Sequence, residues 1–412
     1  MAKPLFDRIP SGGGAASLAE YRSGGGYLGL EAARAAGPAA IGELVKKAGL
    51  RGRGGAGFPT AMKWAAVPPP DQGPRYLVVN ADEKEPGTMK DRYLMEGDPH
   101  QLLEGIAIAS LAIEAQTVYI YLRREYGAAA RALERAMAEA RAGGFLEGLT
   151  LHLHLSAGRY MCGEETGLLN AIEGKRATPR NKPPFPQVSG LWGRPSVVNN
   201  VETLCNLPHI LREGADWYKS ISASADGGTK LYGASGWVAK PGIWELPLGS
   251  TAAEVLELAG GMSPGRSLRA FLPGGASTDF LPASKLDVKM DFDSVAASGS
   301  RLGTGTMIIL DDKTCPVGMV LSLERFFARE SCGWCTPCRE GLPWAVRCLE
   351  ALESGKGEMS DVETLEEIGK ALVPGRTFCA FAPGAAEPLT SALRLFREDF
   401  VDHATGKGCR YR

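Results

Sequence analysis

RYLVVNADEKEPGT, residues 75–88, reads as a strand that runs straight into an acidic loop. Tyr76 to Val79 form a short apolar run, and Asn80, Asp82, Glu83 and Glu85 crowd its C-terminal end. Parallel-sheet folds place ligands at that end of their strands. Acidic loops are usually solvated turns, but this clustering of carboxylates beside an apolar strand tips the balance towards a site. Downstream, strand and helix patterns alternate. DPHQLLEGIAIASLAIEA (98–115) is an apolar helix, TVYIYLRREY (117–126) a strand, and GAAARALERAMAEARAGG (127–144) an alanine-rich amphipathic helix. LTLHLHLS (149–156) alternates with the period of a strand, with His152 and His154 on one face, where strand histidines are more often exposed than metal-bound. This alternation predicts an α/β domain.

Upstream lies GLRGRGGAGFPTAMKW, residues 49–64. Gly52, Gly54 and Gly57 match G-x-G-x-x-G in letters, but a dinucleotide loop should follow a strand, and the preceding residues read as helix. Arg51, Arg53 and Lys63 place positive charge beside bare backbone amides, which suits phosphate, and Phe58 could stack on an aromatic base. Further on, AGRYMCGEETGLLNAIEG (157–174) follows a strand and opens a helix. Glu164 or Glu165 there can bond ribose hydroxyls and repel a 2′-phosphate; equally, both suit the first turn of a helix as partners of its dipole. Cys162 reads as a small buried filler. Lys182 and Phe185 sit among prolines, and Asn199, Asn200 and Thr203 straddle a helix start as caps or phosphate ligands.

Residues 1–50 read as an N-terminal arm, helical on both sides of a break at Gly37 and Pro38, and 215–225 read as a linker. After it come short strands around a Pro-Gly turn, a short helix, and further strands in 269–277 and 304–312. Beyond residue 315 the pattern is helical and carries SCGWCTPC, residues 331–338. Cys332, Cys335 and Cys338 at this spacing wrap one side of a cubane, and Cys379 in TFCAF (377–381) closes the fourth corner. Zinc sites more often come as two separated C-x2-C pairs, so the pattern favours [4Fe–4S]. Cys315, Cys348 and Cys409 have no partner at ligand spacing and read as bystanders.

The bulk composition is that of a globular chain: 412 residues, 44% hydrophobic, net charge −1. That charge gives no reason to expect nucleic acid or an anionic membrane as partner. The start MAKPLFDRIPSGGG lacks the apolar core of a signal peptide, and with a reducing compartment assumed the cysteines read as ligands or buried thiols rather than disulfides. The longest apolar stretch, near 105–122, is interrupted by Glu114 and Gln116, so it reads as a buried helix and strand.

Taken together, GRGGAGFPT (52–60), NADEKEPGT (80–88), CGEETGLLNAIEG (162–174), KPPFP (182–186), VNNVETL (198–204), ESCGWCTPCREG (330–341) and FCAFAPGAAEPL (378–389) resemble, in order, the flavin-bearing, NADH-oxidising F-type subunit of respiratory complex I. The resemblance runs from about residue 15 to 400 and extends to diaphorase subunits of NAD-linked hydrogenases and formate dehydrogenases. It implies a Rossmann-like FMN- and NADH-binding α/β domain, a small ubiquitin-like β-grasp domain and a C-terminal helical bundle carrying an iron–sulfur cluster. The expected boundaries are 1–60 for the arm and glycine loop, 61–220 for the α/β domain, 225–313 for the β-grasp domain and 315–412 for the bundle.

The resemblance also assigns residues. For FMN it implies Gly52, Arg53, Gly54 and Lys63 along the glycine loop, and Asn80, Asp82 and Glu83 after the first strand. Tyr160, Gly163 and Glu164 join them, and Val198, Asn199, Asn200 and Thr203 hold the phosphate end. For NADH it implies Gly54, Gly55, Ala56, Gly57 and Lys63, with Phe58 and Phe185 sandwiching adenine and Lys182 nearby. Glu165 matches the acid on the adenosine ribose that selects NAD over NADP, and Glu85 a carboxylate beside the dinucleotide, the catalytic position. Cys332, Cys335, Cys338 and Cys379 would ligate the [4Fe–4S] cluster. Ala65, Ala66 and Val67 stand where some relatives carry a further adenine-stacking aromatic. The implied partners are a thioredoxin-like [2Fe–2S] subunit and a large iron–sulfur subunit, with the chain peripheral on the cytoplasmic side of the inner membrane and reaching that membrane only through them. The diaphorase relatives often carry fused ferredoxin or thioredoxin-like modules, and their absence here favours complex I. From a different class, a non-catalytic zinc scaffold is the third reading, distinguished by lack of flavin colour.

Overall fold

The computed structural model of the chain describes residues 2–10, 12–69, 73–406 and 409–411. It divides into two compact units: Met1–Lys84, Met89–Tyr232 and Glu245–Ser250 in the first, and Glu85–Thr88, Gly233–Trp244 and Thr251–Arg412 in the second.

The first unit is built on a four-stranded sheet: β1 Tyr76–Ala81, β2 Thr117–Leu122, β3 Thr150–Leu155 and β4 Ser196–Asn200. The order is β3-β2-β1-β4 and every pairing is parallel, with Tyr76 opposite both Thr117 and Ser196. Parallel strands are covered on both faces, so the central one must be apolar throughout; Leu77, Val78 and Val79 are fully buried. Helix Pro99–Ile113 is buried along nearly its whole length, with Asp98 capping it by accepting from the Gln101 amide, and Glu114 ending it in the left-handed region. The chain steps outward from β1 to β2 to β3, then returns to add β4 on the other side of β1. The strand order therefore reverses between β1 and β4. At such a point the connections leave in opposite directions and open a crevice at the carboxyl ends of the strands.

The glycine-rich segment lies before β1 and after helix Pro38–Ala48, as its sequence context predicts. Residues 215–225 differ from expectation. Ala215–Ser220 is a helix, and Tyr218 on it is fully buried, its hydroxyl donating to Asn206 Oδ1 at 2.8 Å. The polar letters around this residue read as a linker because only Ala215 and Tyr218 in the helix carry the packing.

The second unit holds most of a mixed five-stranded sheet, ordered β6-β5-β9-β7-β8: β5 Thr229–Gly236, β6 Gly242–Pro247, β7 Leu268–Leu272, β8 Leu281–Pro282 and β9 Thr306–Asp311. β9 runs parallel to β5 and antiparallel to β7. Five helices follow: Pro316–Glu330, Thr336–Glu353, Met359–Ala371, Phe381–Leu395 and Arg397–Ala404. Their buried stripes, including Phe327, Leu342, Leu349, Leu365, Leu389 and Phe400, form the core of a bundle. Among the described residues no helix is long and apolar enough to cross a membrane.

Candidate functional site

The glycine loop is closed at its base. The Gly52 amide donates to the Phe58 carbonyl at 2.9 Å, Arg51 Nε donates to the Gly57 carbonyl at 2.8 Å, and Arg51 and Pro59 form an isolated bridge. Gly55 and Gly57 have φ of 140° and 65°, a region open to glycine and costly for side chains. Gly54 lies so near the end of β4 that an added Cβ would sit 3.0 Å from that of Asn200. A bulkier residue would fill this cradle. Arg53 departs from the charge-beside-phosphate expectation. Its side chain is fully buried, with Nη2 donating to Tyr218 OH at 3.2 Å and to the Gly227 carbonyl at 2.8 Å. Its amide donates to Thr203 Oγ1 at 2.8 Å. The residue anchors the loop to the start of helix Val201–Cys205 through its amide, and to Tyr218 and Gly227 through its side chain. Arg51 pairs with Asp226 at 3.1 Å.

The carboxyl end of β4 meets this loop and the helix after it, and the end of β1 meets the turn that follows β3. Asn80 Nδ2 donates to the Gly163 carbonyl at 3.2 Å. Asn199 Oδ1 accepts from Trp64 Nε1 at 3.0 Å, and the Val198 carbonyl accepts from Lys63 Nζ at 3.2 Å. Asn200 caps helix Val201–Cys205 and also donates from Nδ2 to Asp91 at 2.7 Å. Gly163 is exposed and has open space where a Cβ would stand; Tyr160 opens the turn that carries it. Cys162 is buried, as expected of a filler, and accepts from Tyr121 OH at 3.3 Å.

The acidic loop after β1 splits three ways. Asp82 is buried 3.4 Å from Lys84 Nζ; burial pushes its carboxyl up to about 6 against the opposing pull of Ser156 and Lys84. The Glu83 carboxylate turns inward onto the start of helix Lys90–Gly97, accepting from the amides of Asp91 and Arg92 at 2.9 and 3.2 Å and from Tyr126 OH at 3.1 Å. Burial and the neighbouring Asp91 push it up to about 7. Glu85 belongs to the second unit, where it accepts from the Ser277 amide at 2.7 Å.

The two glutamates that the letters leave undivided have different surroundings. Glu164 Oε2 caps helix Glu165–Ile172 by accepting from the amides of Thr166 and Gly167, while its Oε1 lies 2.9 Å from Lys182 Nζ. Glu165 is held between two ammoniums, Lys63 at 3.0 Å and Lys182 at 3.1 Å. Burial acts to raise its carboxyl, but the two lysines outweigh it and hold it below the ordinary range. Lys182–Pro183 and Pro183–Pro184 are cis peptides. Phe58 and Phe185 are about half exposed, at 50% and 53%. Ala65 and Ala66 are exposed at the end of helix Thr60–Ala65, and Val67 is partly buried just beyond it.

Beneath the strand ends lies a buried charge network that the sequence reading missed. Glu202 Oε2 is 2.8 Å from Nζ of both Lys90 and Lys230, and Lys90 is 2.7 Å from Asp91. Glu202 is pulled down to about 2: burial opposes ionisation, but Lys230, Lys90 and Arg53 outweigh it. The signal was present in VNNVETL, whose glutamate sits in a helix with no exposed face.

In the second unit, Cys332 and Gly333 lie in the segment after helix Pro316–Glu330, Cys335 caps helix Thr336–Glu353, and Cys338 lies in its first turn. Cys379 enters from the loop before helix Phe381–Leu395. The four gather: Cys338 is buried and its thiol is pushed up to about 12, first by burial and then by Cys335, Cys332 and Cys379 around it. Four convergent cysteine sulfurs, one of them deeply buried, are the donor set of a cubane. Trp334 and Phe378 flank them with ring centroids 6.0 Å apart.

Three family models match the chain: the Nuo51 FMN-binding domain over residues 45–209, the SLBB domain over 235–281, and the NADH-ubiquinone oxidoreductase-F iron-sulfur binding region over 318–403. The F subunits of NADH-quinone oxidoreductase in Salmonella typhimurium and in Escherichia coli are each 55% identical over 394 residues, covering 93% of this chain and 88% of theirs. The F 2 subunit of the Rhizobium meliloti enzyme is 50% identical, covering 96% of both chains. Among solved structures, an NAD+-reducing [NiFe]-hydrogenase in the H2-reduced state superposes with a TM-score of 0.84 at 37% identity, over 92% of this chain and 65% of the hydrogenase chain. The chain belongs to the family of NADH-quinone oxidoreductase F subunits.

Proposed function

We propose that the chain is the electron-input subunit of a respiratory NADH:quinone oxidoreductase, accepting reducing equivalents from NADH and delivering them singly to partner subunits. The observation that carries this reading is that one chain holds both a glycine-lined strand-end cradle and a four-cysteine cluster site. Bound FMN supplies the chemistry that joins the two, taking a hydride and returning single electrons. The chain's own work is binding and alignment.

The residues that would hold FMN are Gly52, Arg53 and Gly54 of the glycine loop, Lys63, and Asn80, Asp82 and Glu83. Tyr160, Gly163 and Glu164 would join them, and Val198, Asn199, Asn200 and Thr203 would take the phosphate end. NADH would be bound by Gly54 to Gly57 and Lys63, with Phe58 and Phe185 taking the adenine and Lys182 and Glu165 the adenosine ribose. The Lys63–Glu165–Lys182 arrangement supports this: it keeps a carboxylate ionised in a half-buried place, where it can accept from ribose hydroxyls and disfavour a 2′-phosphate. Cys332, Cys335, Cys338 and Cys379 hold the [4Fe–4S] cluster. We assign the arm and glycine loop to 1–60, a Rossmann-like domain to 61–220, a ubiquitin-like β-grasp domain to 225–313 and the cluster bundle to 315–412. The partners are a thioredoxin-like [2Fe–2S] subunit and a large iron–sulfur subunit, on the cytoplasmic side of the inner membrane.

Affinity purification of the chain from its native cells tests the assembly. Recovery with quinone-reductase subunits and NADH:quinone activity is the expected result. Recovery with nickel–iron hydrogenase subunits would replace it with the diaphorase reading, which the hydrogenase superposition favours.

A further inference from the structure

Cys315 and Cys409, bystanders by sequence, meet in the second unit. With Glu353 and His403 they bring four ligand atoms within 4.8 Å of one another. Cys315 Sγ lies 3.1 Å from Glu353 Oε1 and 3.6 Å from His403 Nε2, and those last two atoms are 3.4 Å apart. With zinc bond lengths of about 2.0–2.3 Å, the edges of a tetrahedron come to about 3.3–3.8 Å. The 3.4 and 3.6 Å separations fall in that range, and the 3.1 Å Cys315–Glu353 contact lies slightly below it.

His403 Nδ1 lies 2.6 Å from the Asp399 carbonyl, which can only accept, so Nδ1 carries the proton and Nε2 presents a lone pair in the neutral ring. This backbone bond is the usual way a metal-binding histidine is oriented. That lone pair faces a carboxylate oxygen, a pairing that either a proton or a metal ion between the two atoms satisfies. Cys315 stands at the cap of the 15-residue helix Pro316–Glu330 with Sγ accepting from the Gly318 amide at 3.4 Å, while burial, and then Glu353 and Cys409 beside it, push the metal-free thiol up. Glu353 is the last residue of helix Thr336–Glu353, where the helix dipole disfavours negative charge unless a cation is near. His403 is buried, and Cys409 is brought in by its neighbours: Arg410 Nη2 and Tyr411 OH lie 2.7 and 2.8 Å from Asp399 Oδ1.

We propose that Cys315, Glu353, His403 and Cys409 form a closed structural Zn2+ site that fastens the C-terminal tail to the helical bundle, separate in its ligands from the four cluster cysteines. The test is elemental analysis of the full chain purified in its complex, with zinc, iron and flavin measured on the same sample. The variants are Cys409→Ser and His403→Gln. The expected result is zinc lost from both variants to below about a tenth of the wild-type excess, with iron and FMN unchanged. Co2+ exchanged into the wild type should give a thiolate charge-transfer band that Cys409→Ser lacks. Zinc content equal in variants and wild type, no zinc in iron-replete wild type, or a Cys315–Cys409 disulfide found on alkylation without reductant would each overturn the proposal. If a variant fails to retain FMN, the wild-type zinc count and cobalt spectrum decide.

Discussion

Glu165→Gln should relax the preference for NADH over NADPH. The carboxylate lies 3.0 and 3.1 Å from the ammoniums of Lys63 and Lys182, and Glu164 shares Lys182 at 2.9 Å. Two cations and two anions balance in the wild type; the substitution leaves one net positive charge facing the ribose. A unit charge acting on a 2′-phosphate is worth about 4 kcal/mol at 4 Å with an effective dielectric near 20, and about half that at 8 Å. The Glu165 side chain is 21% exposed, so screening trims the effect. A shift of about 1.5–3 kcal/mol remains, or roughly 10- to 100-fold in the ratio of kcat/KM for NADPH to that for NADH. The assay is steady-state reduction of an artificial acceptor by each nucleotide at low and high salt, with FMN content measured. The gain should arise mainly in KM for NADPH and shrink as salt rises. A ratio unchanged within about twofold, in protein that keeps its FMN, would refute the assignment of this carboxylate to the ribose.

Other expectations concern the cluster and the buried charges. Cys379→Ala should keep FMN but lose the paramagnetic signal of the reduced [4Fe–4S] cluster; an intact signal would mean another residue is the fourth ligand. Glu202→Gln strands Lys90 and Lys230 inside the first unit and should cost about 3–5 kcal/mol, lowering its melting temperature by roughly 10 °C. An unchanged melting curve would show that water reaches these lysines. Glu245 accepts from the amides of Leu5 and Phe6, and burial pushes its carboxyl up to about 8. Folded Glu245 therefore stays protonated between about pH 5 and 8 while the unfolded residue ionises, so its contribution is full below the unfolded value and falls by about 1.4 kcal/mol per pH unit as pH rises through that window. Denaturant titrations should find this slope reduced in Glu245→Gln, and equal slopes in the two proteins would contradict the burial argument.

Much of this architecture could be read in letters because the physics is local. Helix and strand periods located Pro99–Ile113, Gly127–Ala142, the strand between them and the one that follows, and the spacing of Cys332, Cys335 and Cys338 announced its chemistry. The helix expected before the glycine loop is there, at Pro38–Ala48. What failed was direction and distance. No pattern says that Arg53 buries its guanidinium on Tyr218 while the glycines beside it stay open, or that Glu83 caps a helix while Glu165 sits between lysines. Cys315 and Cys409 are far apart in the chain, so their meeting with His403 is visible only after the bundle has packed.

The reversal of strand order between β1 and β4 has a consequence for biosynthesis. The crevice it opens draws on segments from Gly52 to Thr203, and Arg53 cannot lodge against Tyr218 until still later residues have emerged. Contacts of such wide sequence separation form slowly. A nascent chain halted at β3 would expose the bare edge of β1 where β4 belongs, so nucleotide capture must wait until that strand has docked.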